Sequence, residues 1–197
     1  GSMGAVYRAH QAAVGRDVAI KIVRAERAYD AETKARFERE ARATSALVSP
    51  HTVTVFDFGE SADGSWFLAM ELLEGESLGE RLRRVTRLQV ADAVRIARQA
   101  AVSLGEAHTK GIIHRDLKPD NLFLTHVPVK SGEPEEIVKV LDFGIAKLVR
   151  GDDQHVDQLE TQAGTVFGTP RYMSPEQAQG AALDARTDVY SLGVSEE

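Results

Sequence analysis

Between residues 114 and 121 the chain reads His-Arg-Asp-Leu-Lys-Pro-Asp-Asn. Asp116 offers a carboxylate base, Lys118 an ammonium that seeks phosphate, and Asn121 an amide that can ligate a hard cation. Three such groups within six residues suit transfer of a phosphoryl group to a hydroxyl. A polar turn without chemistry is the bland alternative. Five specified residues meet by chance at about one position in 20 to the fifth power, which disfavours it.

The flanking sequence shows how these groups are held. Pro119 forbids a helix through the stretch, and Gly111 is a helix stop just upstream. From Val90 to Lys110, apolar residues recur at Ala93, Ala97, Ala100, Leu104 and Ala107, the stripe of a core helix that delivers the loop. Leu122-Phe123-Leu124 reads as a short buried strand. An extended hairpin connection is expected from Thr125 to Glu136, then a buried strand over 137–141 that ends in Asp142-Phe143-Gly144. Residues 145–173 lack sustained periodicity, which suits a loop.

The first half of the chain alternates as strands do. Val18, Ile20 and Ile22 share one face; Ala19, Lys21 and Val23 share the other. A lysine on a mostly apolar face is costly unless it meets an anion. A helix is predicted over 30–47, with Asp30 as N-cap and Glu32–Arg36 and Glu38–Arg42 as favourable pairs. Residues 53–60 and 65–72 flank the turn Ala62-Asp63-Gly64 as a hairpin, and the first arm contains a structural Asp57-Phe58-Gly59. Ser77-Leu78-Gly79-Glu80 is a capping box that opens a helix.

The 197 residues are 43% hydrophobic, enough for a core and one or two domains. The net charge is −6, with 24 basic and 30 acidic residues spread along the chain, which argues against nucleic-acid binding. Cysteine is absent, so disulfides and thiolate metal sites are excluded. No apolar run approaches the ~20 residues that span a bilayer. The expected location is the cytoplasm, with any membrane anchor outside these residues.

The stretch 114–121 resembles the catalytic loop of protein kinases, H-R-D-x-K-x-x-N. Val18-Ala19-Ile20-Lys21, the second Asp-Phe-Gly at 142–144, and Gly168-Thr169-Pro170 through Ser174-Pro175-Glu176 resemble further motifs of that family, in the right order. Gly1 and Gly4 resemble the last glycines of its phosphate-covering loop, Met70-Glu71-Leu72-Leu73 its gatekeeper and hinge, and Asp188 to Gly193 the start of its central helix. The resemblance implies a two-lobed α+β fold, with residues 1–73 as the small lobe and 74–197 as the large one. It implies a bacterial-type serine/threonine kinase using ATP and Mg2+ on a protein substrate, with self-association as a route to autophosphorylation.

Roles carry over residue by residue. Asp116 would accept the hydroxyl proton and Lys118 steady the γ-phosphate. Asn121 and Asp142 would hold magnesium; Lys21, tied to Glu40 rather than Glu38, would hold the α- and β-phosphates. Val6, Ala19 and Phe123 would sandwich adenine beside Met70, with Glu71 and Leu73 offering backbone groups. Arg115 would receive a phosphorylated Thr161 or Thr165, and Thr169 would contact the acceptor. The resemblance also implies a domain cut at both ends, with Glu176 lacking its late arginine. Leu183, Val189, Tyr190, Leu192 and Val194 would then lie more exposed than core residues, and the chain would be inactive alone. A kinase-like binding module without activity is the alternative.

Overall fold

The computed structural model describes residues 5–23, 31–129, 132–143 and 170–195. Strands β1 (Ala5–Gln11), β2 (Arg16–Val23), β3 (Val55–Glu60) and β4 (Trp66–Glu71) form an antiparallel sheet in the order β1-β2-β4-β3. The alternation in β2 selects its buried side. Val23 packs with Trp66 and Leu68 against helix α1 (Ala31–Ser45), which inserts Phe37 and Ala41. Phe37 stacks on Trp66 at 4.6 Å between ring centroids. The helix begins one residue after the predicted N-cap Asp30, which lies outside the described residues. Glu32 and Arg36 make the expected pair.

The hairpin between β3 and β4 closes as its turn residues require: Ser61 N–H donates to Ser65 O at 2.8 Å, and Asp63 accepts from Ser61 and Ser65. Asp57-Phe58-Gly59 lies within β3, with Asp57 exposed and Phe58 packed edge-on against Phe37. It is a structural segment.

A second sheet, β5-β6-β7, is built from β5 (Gly75–Ser77), β6 (Leu122–Val127) and β7 (Glu135–Val140). The pairing of β6 and β7 runs to Val127 and Glu135, so the connection is shorter than the 125–136 expected. Thr125 and Glu136 belong to the ladder because both face structured neighbours, Glu74 O and two arginines. Gly75 has φ +148, and a Cβ there would stand 2.0 Å from Leu124 O, so only glycine lets β5 reach β6. Helix α2 (Leu78–Val85) follows, its capping box formed by Ser77 and Glu80.

Helix α3 (Val90–Thr109) buries Ile96, Ala100, Ser103, Leu104 and Ala107. Ile96 and Ser103 join the predicted stripe, and Ala93 and Ala97 are only half-buried. The helix stops at Gly111 as predicted, in a Schellman arrangement: Ile112 N–H donates to Ala107 O and Gly111 N–H to His108 O. Leu122, Leu124, Val138 and Val140 complete the core beneath it. The outer edge of β7 is closed by other chain segments. Gln99 accepts from Val138 N–H, His51 contacts Val138 O, and Arg95 donates to Glu136 O. Helices α4 (Pro175–Ala178) and α5 (Ala185–Val194) end the described fold. Val189 and Tyr190 are exposed, whereas Leu183, Leu192 and Val194 are half-buried. Among the described residues no helix is long and apolar enough to cross a membrane.

Glu136 knits this lower half together. Arg81 holds it through both nitrogens at 2.6 and 3.0 Å, and Arg95 adds a contact at 2.8 Å. Arg81, and after it Arg95, keep the carboxyl below its ordinary value of 4.5. A depressed folded value contributes stability above the unfolded pKa, and that contribution is lost as pH falls through the folded one. Glu136→Gln is therefore expected to cost about 2 kcal/mol at neutral pH. The difference should shrink as acid unfolding is followed downward from pH 4.5; a gap that stays constant with pH would refute the assignment.

Candidate active site

The loop after α3 is shaped by one buried carboxylate. Asp188, on α5 and with its side chain fully buried, accepts His114 N–H at 2.8 Å, Arg115 N–H at 2.9 Å and His108 Nε2 at 2.7 Å. Arg115 has φ +65, a strained backbone for a side-chain-bearing residue. It is held from both sides, because Gln177 Nε2 donates to Arg115 O at 2.7 Å. Gln177 is itself fixed by a capping box with Ser174. The sequence reading assigned no role to Asp188 or Gln177. Their partners lie 74 and 62 residues away, and no local pattern signals such contacts.

His114 is wholly buried against Phe143, 5.0 Å between centroids, and its Nε2 lies 2.8 Å from Leu141 O. Burial pushes the imidazole below its ordinary value of 6.5. Asn121 O accepts Leu141 N–H at 2.9 Å. These two bonds at Leu141 lock the 114–121 loop onto the strand end that presents Asp142. The next residue, Asp142, has φ +58.

The side chains follow from that frame. Lys118 Nζ lies 2.9 Å from Asp116 Oδ2, and Asn121 Nδ2 donates to Asp116 O at 2.7 Å. With its nitrogen committed there, the amide oxygen of Asn121 is the group suited to a cation. The 3-10 turn Pro119–Asn121 makes this compact. Lys21 is buried, as expected of a lysine with an anionic partner, and that partner is Asp142 Oδ2 at 2.7 Å.

Glu40 departs from expectation. It lies half-buried beside Phe37, Ala41 and Thr44 on the inner side of α1, whereas Glu38 is exposed. It forms no ion pair with Lys21; among the described residues it pairs with Arg39 at 3.8 Å. Two features account for this: the ammonium of Lys21 is taken by Asp142, and α1 is anchored by Phe37 on Trp66. Glu176 accepts from Thr187 Oγ1 at 2.7 Å, while Arg186 pairs with Asp184 at 2.6 Å.

Of the nucleotide-facing candidates, Ala19 and Met70 are paired across β2 and β4, and Val6 is paired with Lys21. Ala19 is buried, Met70, Glu71, Leu73 and Phe123 are half-buried, and Val6 is exposed. Gly1, Gly4, Thr161, Thr165 and Thr169 lie outside the described residues.

Residues 1–195 match the family model described as the protein kinase domain. The chain is 46% identical over 194 residues to serine/threonine-protein kinase pkn3 of Myxococcus xanthus, covering 98% of this chain and 34% of that protein. It is 41% identical over 198 residues to serine/threonine-protein kinase PknA of Mycobacterium tuberculosis, covering 98% of this chain and 43% of that protein. The chain thus spans about a third of the length of the first of these relatives. The crystal structure of the Mycobacterium tuberculosis PknI kinase domain superposes with a TM-score of 0.75 at 30% identity, over all of this chain and 68% of that one.

Asp188→Ala would leave two loop N–H groups and His108 without their buried acceptor. It is expected to cost about 3–5 kcal/mol, read as a lowered urea midpoint. A loss under about 1 kcal/mol would contradict the keystone role.

Proposed function

This chain belongs to the protein kinase family, and from that premise we propose that it transfers the γ-phosphate of ATP to a serine or threonine hydroxyl of a protein. The observation that carries this reading is the pair of bonds at Leu141, which joins Asp116, Lys118 and Asn121 to Asp142 and Lys21 in one rigid frame. Lys118 close after Asp116 supports an aliphatic hydroxyl as acceptor. On this reading residues 1–73 hold the nucleotide and 74–197 carry the catalytic loop.

The Asp116 carboxylate orients the acceptor hydroxyl and takes its proton. The hydroxyl oxygen bonds to the γ-phosphorus as the bond to the β,γ-bridging oxygen breaks, and ADP leaves with that electron pair. Lys118, already beside Asp116, balances charge on the transferring group. Val6, Ala19 and Phe123 flank adenine, while Glu71 and Leu73 present hinge backbone.

One carboxylate and one amide fit magnesium, which takes few protein ligands and keeps phosphate oxygens and water as the rest. Asp142 and the oxygen of Asn121 would hold it. When bound it neutralises phosphate charge. Lys21 would then serve the α- and β-phosphates.

In a protein that carries the whole kinase domain, Asp116→Asn should lower phosphorylation of a generic protein substrate by about 10²–10⁴-fold with nucleotide affinity nearly intact. Equal turnover in variant and parent would overturn the assignment. The two Asp-Phe-Gly copies are separated by a paired test. Asp142→Ala should abolish magnesium-dependent ATP turnover, whereas Asp57→Ala, on an exposed strand position, should leave it in place. The reverse pattern would exchange their roles.

A further inference from the structure

One buried charge has no part in the reaction above. Lys139, on β7, keeps only 10% of its side chain exposed. Its Nζ lies 2.7 Å from Glu71 Oε1 and 3.3 Å from Thr52 O. The same Glu71 oxygen accepts Thr54 N–H at 2.7 Å, and Glu71 N–H donates to Thr54 O at 2.9 Å. One carboxylate oxygen thus joins the end of β4, the segment entering β3, and the strand that runs on to Asp142.

The register gives the lysine its place. Lys139 is paired directly with Phe123 across β6 and β7, and directly opposed residues of an antiparallel pair point to the same face. Lys139 therefore stands beside Phe123 and reaches across to Glu71. A lysine in such a setting loses hydration and is retained only where an anion meets it. Glu71 is that anion, and the ion pair ties the end of β4 to the strand position opposite Phe123.

We propose that Lys139 is a positioning residue for the nucleotide: through its ion pair with Glu71 it sets the gap between the hinge backbone and Phe123 in which adenine lies. The proposal rests on the reading of Glu71, Leu73 and Phe123 as adenine neighbours. It adds a residue that touches neither nucleotide nor acceptor and governs ATP affinity rather than the chemical step. The pair also bridges the two sheets, since Glu71 ends β4 and Lys139 lies on β7.

The test is a split between KM and kcat in a protein that carries the whole kinase domain. Lys139→Met should raise KM for ATP about tenfold, well inside the roughly hundredfold that a 1 Å misplacement can cost. The value of kcat at saturating ATP should stay within about twofold. Lys139→Arg, which keeps a cation within reach of Glu71, should restore KM to within about threefold of the parent. A purely structural lysine would instead lower the active fraction, and hence kcat, with KM unchanged. If Lys139→Met melts below the assay temperature, Glu71→Gln decides. It keeps an acceptor for Thr54 but removes the charge, and its KM should rise. An unchanged KM in the soluble variants, or an arginine variant no better than methionine, overturns the proposal while leaving the kinase reading standing. A protein that carries the whole kinase domain and neither binds nor turns over ATP overturns the kinase reading and this proposal together.

Discussion

The buried carboxylate of Asp188 is the contact on which the site depends. Taking an ion out of water costs several kcal/mol even after relaxation, so a fully buried aspartate persists only where donors surround it. Here three do, two of them consecutive backbone N–H groups of the loop that carries Asp116. Backbone donors cannot rotate away as side chains can, and their direction dictates the course of the chain. That course passes through Arg115 at φ +65, a conformation costing about 1–3 kcal/mol unless its surroundings over-determine it. Asp188 from one side and Gln177 from the other supply that determination. The placement of the proposed base is therefore a property of α4 and α5, elements remote in sequence.

A second set of contacts joins the four-stranded sheet to the rest. The segment 47–54 is tied to α3 by Glu106, which accepts Val48 and Ser49 N–H, and by the buried hydroxyl pair of Thr52 and Ser103. It is tied to β7 by reciprocal backbone bonds, Val53 N–H to Val140 O and Val140 N–H to His51 O. The upper sheet and the strand leading to Asp142 thus share a seam of backbone hydrogen bonds. Lys21 and Asp142 meet across that seam, and the seam keeps their 2.7 Å separation from being an accident of flexible side chains.

Much of this was legible in the sequence because the signals are local. Period-two alternation marked β2 and its two faces, Gly111 marked the end of α3, and Ser77 with Glu80 marked a helix start. The spacing from Asp116 to Asn121 announced a site. What was not legible arises from contacts made across long loops. Asp188 looks like any helix-start acid until His108 and His114 are folded against it. Glu40 is on the inner face of its helix, yet its pairing depends on how Phe37 seats α1 on Trp66, a matter of side-chain packing. Ser103 reads as a polar interruption of an apolar stripe, and becomes a core position only because Thr52 meets it. The pairing of β6 and β7 extends beyond the expected strands for a related reason. Thr125 and Glu136 are polar, and only Glu74, Arg81 and Arg95 make them fit for a ladder.

The charges at the site obey one further constraint. Two carboxylates, Asp116 and Asp142, are delivered by loops joined at a single residue, Leu141, and like charges brought together repel. Each has its own lysine: Lys118 from the same loop for Asp116, Lys21 from the upper sheet for Asp142. The first pairing is local and the second spans the two sheets, so they answer differently to a change in the field. On the proposed function, with magnesium held by Asp142, the ammonium of Lys21 would be available to phosphate oxygens or to Glu40 on the adjoining helix. Among the described residues Lys118 pairs with Asp116. On the proposed function this asymmetry separates the two tasks of the site. The lysine beside the base would stay where the hydroxyl must be oriented, while the lysine on β2 would exchange partners, which would make nucleotide binding sensitive to the position of α1.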